Sequence, residues 1–426
     1  MTPTPHDAAN TAHVSPAAVC SILLSRLAAV ALVLGLSTGG AGIAAAVPVT
    51  FWVTAPQATA QQNTAPGQSP TTVFLAGNFQ NWSPGDPAWQ LQPAAPGRYV
   101  LTADFPAGTG LQFKFTRGSW LTVEKGSAGQ EIDNRLYVVA AHADTLDLEV
   151  ASWASGEAVE RASTVTGDVE TYTVPDFLDG RRVWVYLPPG YRSQPDRRFP
   201  VLYMFDGQNV FDDATSFVGE WQVDEALATA IAAGRVAELI VVAVDNGQDK
   251  RMAEYTPWSS TAYPSAGSGQ RHLRRWVEVL LPWVNRTFRT LTGPGQTGLA
   301  GSSLGGLMSL YGGFRYPDVF GRIGAFSPTL SLPPQKLSAY CAAEPGQPQA
   351  VYIDMGTREE GNLSDRDHDG VDDHISALRR LQAVLQRRGF LGGWDLMVSE
   401  DEGARHNEKA WSRRFPAAVE FLFPAQ

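Results

Sequence analysis

The run Gly301-Ser302-Ser303-Leu304-Gly305 stands between a short apolar stretch, Thr297 to Ala300, and a helix-like one, Leu307 to Phe314. Gly-x-Ser-x-Gly between a strand and a helix is the pattern of a nucleophile elbow, a turn so sharp that the central serine is lifted above a sheet. Small residues must flank such a turn, and Gly298, Ala300, Gly301, Gly305 and Gly306 supply them. A chain with 41 glycines can produce the motif by chance, so the strand-turn-helix context carries the reading.

A serine hydroxyl is a weak nucleophile near neutral pH and needs a base, which in turn needs an acid to hold its tautomer. On a strand-turn-helix scaffold the chain order is serine, acid, histidine. Downstream of Ser303 stand His368, His374 and His406. His368 lies in an acidic run and His374 opens a helix. His406 follows a strand expected at Trp394 to Val398, in a glycine-bearing loop before the closing helix, and is the expected base. The acid is expected after the strand around Val351 to Met355. Glu359 is the first choice, with Glu360 and Asp354 as rivals and Asp365 as a more remote one. Two backbone N–H groups must face the developing oxyanion. Leu304, after the nucleophile, offers one, and Gln208, in the loop after Val201 to Phe205, offers the other.

The elements that would position these groups fall into two styles. From Val47 to Val150 short alternating runs are separated by Gly, Pro, Asn and Asp, which predicts a small all-β sandwich over residues 47–150. Within it, Gln57 to Pro70 reads as a polar loop. Residues 151–166 read as a linker. From 167 to 426 apolar strands alternate with helical stretches at Val223 to Ala233, Arg271 to Phe288, Leu307 to Phe314 and His374 to Arg388. That alternation predicts an α/β domain, a doubly wound, mostly parallel sheet covered on both faces.

Six ordered segments then suggest a family: Val183 to Tyr191, Phe199 to Phe211, Arg251 to Pro257, Gly301 to Gly306, Phe326 to Pro328, and His406 to Glu408. Residues from about Gly167 onward resemble the esterases of the α/β-hydrolase superfamily that include feruloyl esterases, enterochelin-type siderophore esterases and mycolyl acyltransferases. The resemblance implies a triad of Ser303, His406 and Glu359, with no cofactor needed for catalysis. Many relatives carry His-Gly where this chain has Asp206-Gly207, and Glu in place of Asp at 359 leaves the acid open. The resemblance implies an ester substrate, small or polymeric, such as an acylated polysaccharide or a siderophore-type ester. An acyltransferase using a sugar acceptor has the same triad, and a glycan-binding protein on an inactive hydrolase fold is the third reading. Arg251, Glu254 and Tyr255 either wall a pocket or serve the fold.

Two further patterns stand apart from the triad. Asp365, Asp367, Asp369 and Asp373 place oxygens at alternate positions around Gly370, the pattern of a calcium loop. Ser376 occupies the position where an EF-hand has its bidentate Glu, so the expectation is a structural ion or a solvated acidic loop. In the first domain, Gly77 to Trp82, Phe113 to Trp120 and Asn134-Arg135 resemble starch-binding carbohydrate modules. Trp82 and Trp120 are the expected sugar-stacking positions, with packing inside the sandwich as the alternative, favoured for Trp82.

Composition and the chain start narrow the setting. A net charge of -10 argues against a general nucleic-acid binder. Arg26, the apolar run Leu27 to Leu36 and Ala44 to Ala46 form a signal-peptide pattern over residues 1–46, with an uncleaved anchor reaching Val49 as the rival. The apolar run is short for a spanning helix. A secreted or periplasmic protein, free of the membrane after cleavage, is expected. Cys20 would leave with the leader, so Cys341 would be unpaired.

Overall fold

A computed structural model describes residues 46–425 apart from 57–71, 81, 131, 155–161, 217–218, 260–265, 332–334, 362–364 and 366–368. Residues 1–45 of the expected leader with Cys20, the whole Gln57 to Pro70 loop and Asp367 lie outside the described residues. Among the described residues, no helix is long and apolar enough to cross a membrane.

The first part of the chain is all β. Strands β1 (Ala46–Thr54), β2 (Val73–Gly77), β3 (Gln90–Ala95), β4 (Arg98–Pro106), β5 (Gly110–Thr116), β7 (Arg135–Val138) and β8 (Asp144–Glu149) pair in the order β7-β5-β2-β3-β4-β1-β8. A separate pair joins β6 (Glu124–Lys125) to β9 (Ser152–Trp153). Strand β3 bonds to β2 at Leu91 and to β4 from Gln92 onward, and its register shifts between Pro93 and Ala95. This strand has no apolar alternation to announce it: in Gln-Leu-Gln-Pro-Ala-Ala only Leu91 is buried. Val49, Phe51, Val53, Phe105, Phe113 and Phe115 fill the core, with Phe51 meeting Phe105 and Phe113 edge-on.

The remainder is an α/β domain. Strands β10 (Asp168–Thr173), β11 (Arg182–Leu187), β12 (Val201–Phe205), β13 (Ile240–Val244), β14 (Thr297–Ser302), β15 (Arg322–Phe326), β16 (Ala350–Gly356) and β17 (Leu396–Asp401) form one sheet, ordered β10-β11-β13-β12-β14-β15-β16-β17. The first two pairings are antiparallel and the others parallel. Trp394 precedes β17 and is 81% exposed, so that strand starts later than its apolar run suggests.

Period-two burial divides the domain into two cores. Val201, Tyr203 and Phe205 face one side with α3 (Gly269–Arg275), α4 (Leu281–Thr287), α5 (Leu304–Arg315), α6 (Lys336–Ala343) and α7 (Asp373–Arg387). Leu202 and Met204 face the other side with α1 (Val223–Ala232) and α8 (Glu408–Leu422). A short α2 (Arg251–Glu254) follows β13. Helices on both faces of a mostly parallel sheet give the α/β-hydrolase architecture. Among the described residues Cys341 has no disulfide partner; it is buried in the first core, and burial raises its thiol pKa.

Candidate active site

Ser303 sits where β14 turns into α5. Its backbone, at φ 55 and ψ -120, lies in a region non-glycine residues rarely adopt, as an elbow demands. A Cβ on Gly305 would lie 3.0 Å from Phe205 Cβ and 3.5 Å from Asp206 Oδ2, so a side chain there would press on the end of β12, and glycine lets the start of α5 approach it closely. The start of α5, just after Leu304, thereby meets Asp206, the residue that opens the turn carrying Gln208.

That turn is braced from several sides. Asp206 adopts a left-handed conformation, and a Cβ on Gly207 would lie 2.8 Å from the Val244 carbonyl carbon. Arg251 grips Asp206 through two bonds, Nε to Oδ1 at 2.7 Å and Nη2 to Oδ2 at 2.8 Å. The Asp206 N–H donates to the Tyr255 hydroxyl at 3.2 Å, and Asn246 N–H donates to the Gln208 side chain at 3.1 Å. Glu254 pairs with Arg181 at 3.0 Å. Of the three residues left open by the sequence, Arg251 and Tyr255 hold this turn, while Glu254 holds Arg181 beside the Asp245 carbonyl.

Glu359 lies in the turn after β16 and His406 in the loop after β17. Glu359 Oε2 is 2.5 Å from His406 Nδ1. Its other oxygen accepts from Ser327 Oγ at 2.7 Å and from the Gly356 N–H at 2.5 Å. Burial would raise this carboxyl, but the His406 charge and the bonds from His406, Ser327 and Gly356 outweigh it and hold the pKa below its ordinary value. The His406 ring stands edge-on to Trp411, centroids 5.0 Å apart. Asn407 caps α8 by accepting from the Ala410 N–H at 3.0 Å, which fixes where the chain leaves His406.

The rival acids are engaged elsewhere. Asp354 is fully buried inside β16, where it accepts from Ser327 N–H at 2.9 Å and Tyr352 OH at 2.8 Å and pairs with Arg414 at 3.1 Å. Glu360 faces His374 at 3.2 Å. Asp365 accepts from the N–H groups of Asp369 and Gly370, each at 3.1 Å, so part of the acidic loop closes on itself.

Ser303 and the Glu359–His406 pair meet at one turn, Phe326 to Thr329. Ser303 N–H donates to Phe326 O at 3.0 Å, and Thr329 N–H donates to Ser303 O at 3.0 Å. Ser327, at φ 39, carries the bond to Glu359 and accepts from Trp411 Nε1 at 3.0 Å and Arg414 Nη2 at 2.9 Å. Among the described residues, the Ser303 hydroxyl has Thr329 Oγ1 as its side-chain partner, at 3.4 Å, and no hydrogen bond to His406. Sequence reasoning passed over Ser327 and Thr329. The signal was Phe326-Ser327-Pro328, a polar residue and a proline directly after a core strand.

The β domain reaches this region. Asp133 pairs with Arg405, the neighbour of His406, at 2.8 Å. Trp82 and Trp120 are half-buried side by side, centroids 6.2 Å apart.

The family described as "Putative esterase" matches residues 178–422, more than half of the chain. The chain belongs to that family. Membership makes it a hydrolase of ester bonds. The esterase is 27% identical over 250 residues to the uncharacterized protein YbbA of Bacillus subtilis, covering 57% of this chain and 92% of that protein. It is 41% identical over 105 residues to an α-amylase of Niallia circulans, covering 25% of this chain but only 8% of the amylase. A ferulic acid esterase structure from Anaeromyces mucronatus matches with a TM-score of 0.44 and 22% identity, over 62% of this chain and 91% of that one.

Proposed function

We propose that the protein is a secreted serine esterase that works through an acyl-enzyme on acylated polysaccharides. Ser303 Oγ attacks the ester carbonyl while His406 Nε2 takes its proton. The carbonyl oxygen, now negative, is received by the N–H groups of Leu304 and Gln208. The C–O bond to the alcohol breaks, and His406 returns the proton to the departing oxygen. Water then attacks the acyl-Ser303 carbonyl with His406 again as base, releasing a carboxylic acid and free Ser303. Glu359 holds the imidazole with Nδ1 protonated and stabilises its cation. The hydroxyl turns from Thr329 to His406 when an ester is bound, since such bonds often tighten only with substrate present.

The observation that carries this reading is the 2.5 Å Glu359–His406 pair, anchored on the same turn that binds the Ser303 backbone. Turnover of a short-chain nitrophenyl ester and labelling by a phosphonate test it. Wild-type protein should gain one covalent adduct, on Ser303, and Ser303→Ala should gain none and lose turnover. Undiminished turnover by Ser303→Ala would place the chemistry elsewhere.

The polysaccharide part of the proposal is supported by the Trp82–Trp120 pair, two half-exposed rings of the kind that stack on sugars. Affinity electrophoresis of the full chain in starch and xylan gels should show retardation that Trp120→Ala abolishes. Unretarded wild-type protein in every gel would remove the glycan reading and leave the esterase intact.

A further inference from the structure

Glu220, Asp224 and Glu225 look in sequence like an acidic helix start, where carboxylates favour the positive end of the helix dipole. Their arrangement goes beyond that. The chain turns at Gln222, which is left-handed at φ 55 and ψ 45, and α1 begins at Val223. Asp224 is fully buried, and Glu220 and Glu225 are half-buried. One oxygen from each of the three residues lies within 4.8 Å of the others.

Part of this group is satisfied by the segment that leads into the α/β domain. Glu220 Oε2 accepts from Thr164 Oγ1 at 2.9 Å, and Asp224 Oδ2 accepts from the Thr166 N–H at 2.6 Å and its hydroxyl at 3.1 Å. Three oxygens are left over. Among the described residues, Glu220 Oε1, Asp224 Oδ1 and Glu225 Oε2 are buried without a hydrogen-bond donor, and the Asp224 and Glu225 carboxyls lie against each other. Asp224, Asp213 and Asp212 add like charge around Glu220. A buried carboxylate oxygen without a donor takes up a proton, pairs with a cation or binds a metal.

We propose that Glu220, Asp224 and Glu225 form a binding site for a hard divalent cation, calcium in preference to magnesium or zinc. The donors are oxygens alone, which suit calcium, whereas zinc favours nitrogen and sulfur. Oxygens within 4.8 Å of one another are no further apart than two ligands on opposite sides of one calcium ion, at roughly 2.3–2.6 Å each. Magnesium demands a stricter octahedron and keeps its waters, so a site built from side chains of differing reach favours the larger ion. The cation would clamp Thr164 and Thr166 onto α1 through the carboxylates they already touch. Trp221, between two of these residues, packs against Trp411 with ring centroids 5.8 Å apart, and Trp411 holds Ser327 beside Glu359. The ion would therefore stiffen the wall behind the active site without taking part in the chemistry.

Isothermal titration and thermal unfolding of the full chain, stripped with EDTA and titrated with calcium chloride or magnesium chloride, test the site. Wild-type protein is expected to bind calcium with a rise in Tm of several degrees and a weaker response to magnesium. Glu225→Gln and Glu220→Gln should each weaken calcium binding at least tenfold and remove most of the rise. Asp365→Asn, in the other acidic loop, should leave both unchanged. Asp224→Asn is the more severe variant, and the two glutamate variants decide the matter should it fail to fold. No calcium binding by wild-type protein would overturn the proposal. So would binding that survives both glutamate variants, or binding lost in Asp365→Asn.

Discussion

Glu359, in the turn after β16, and Asp224, in the first turn of α1, are both carboxylates withdrawn from solvent. Each Glu359 oxygen has a donor: His406 on one, Ser327 and Gly356 on the other. Asp224 has donors on one oxygen and, among the described residues, only the Glu225 carboxyl near the other. Burial penalises both charges, but at Glu359 the partners win and the pKa falls. At Asp224 burial prevails and the pKa rises to about 7. Burial alone therefore does not say what a carboxylate is for. The number and type of groups within hydrogen-bond distance decide it: a carboxylate with complete donors works as a fixed anion, and one with a vacant oxygen waits for a proton or a metal.

The largest expected effect comes from removing the anion at Glu359. Glu359→Gln should lower kcat by about 10⁴-fold, because an amide there permits the wrong imidazole tautomer. Glu360→Gln, which alters the partner of His374 instead, should change kcat less than about threefold. Steady-state turnover of a nitrophenyl ester by both variants checks this. Equal losses in the two would erase the distinction drawn between these neighbouring acids.

Ser327→Ala tests the support beneath Glu359. The substitution removes one donor to Glu359 and the acceptor used by Trp411 and Arg414. Leaving buried donors unsatisfied costs about 1–3 kcal/mol. Urea unfolding should register a loss of that size, with a kcat decline well short of that of Glu359→Gln. A kcat loss without any change in stability would give Ser327 a direct part in the chemistry.

How much of this was legible beforehand differs by region, and the reason is physical. The α/β sheet could be read because strands buried on both faces are apolar throughout, as in Val201 to Phe205 and Ile240 to Val244. The positions of Ser303 and His406 could be read because an elbow and a last loop are local features tied to glycines and helix caps. Strand β3 could not, since its residues are mostly exposed and carry a proline. The role of Ser327 could not either: Phe326-Ser327-Pro328 marks the turn, but its three partners come from positions 359, 411 and 414, which no local pattern gives. The Glu220 group was hidden for a related reason. Its sequence matches an ordinary helix start, and only burial of the leftover oxygens distinguishes it.

The smallest expected effect concerns Glu408, a third buried carboxylate, at the start of α8. Burial raises its pKa from 4.5 to about 8; Asp206 adds to the rise, while Arg251 and Lys114 oppose it. The native state thus holds a proton on Glu408 that the unfolded chain releases above 4.5. Between those two values the folded form binds more protons, so this residue makes stability fall as pH rises. Glu359 has the opposite sign: its contribution is present above the ordinary carboxylate pKa and is lost as pH falls. Glu408→Gln mimics the protonated acid and should flatten the decline in Tm between about pH 5 and 8 while leaving the acid side unchanged. Thermal unfolding across that range measures it. A wild-type Tm that does not fall relative to the variant as pH rises would mean that Arg251 and Lys114 already balance the Glu408 charge, and that its environment resembles that of Glu359 more than that of Asp224.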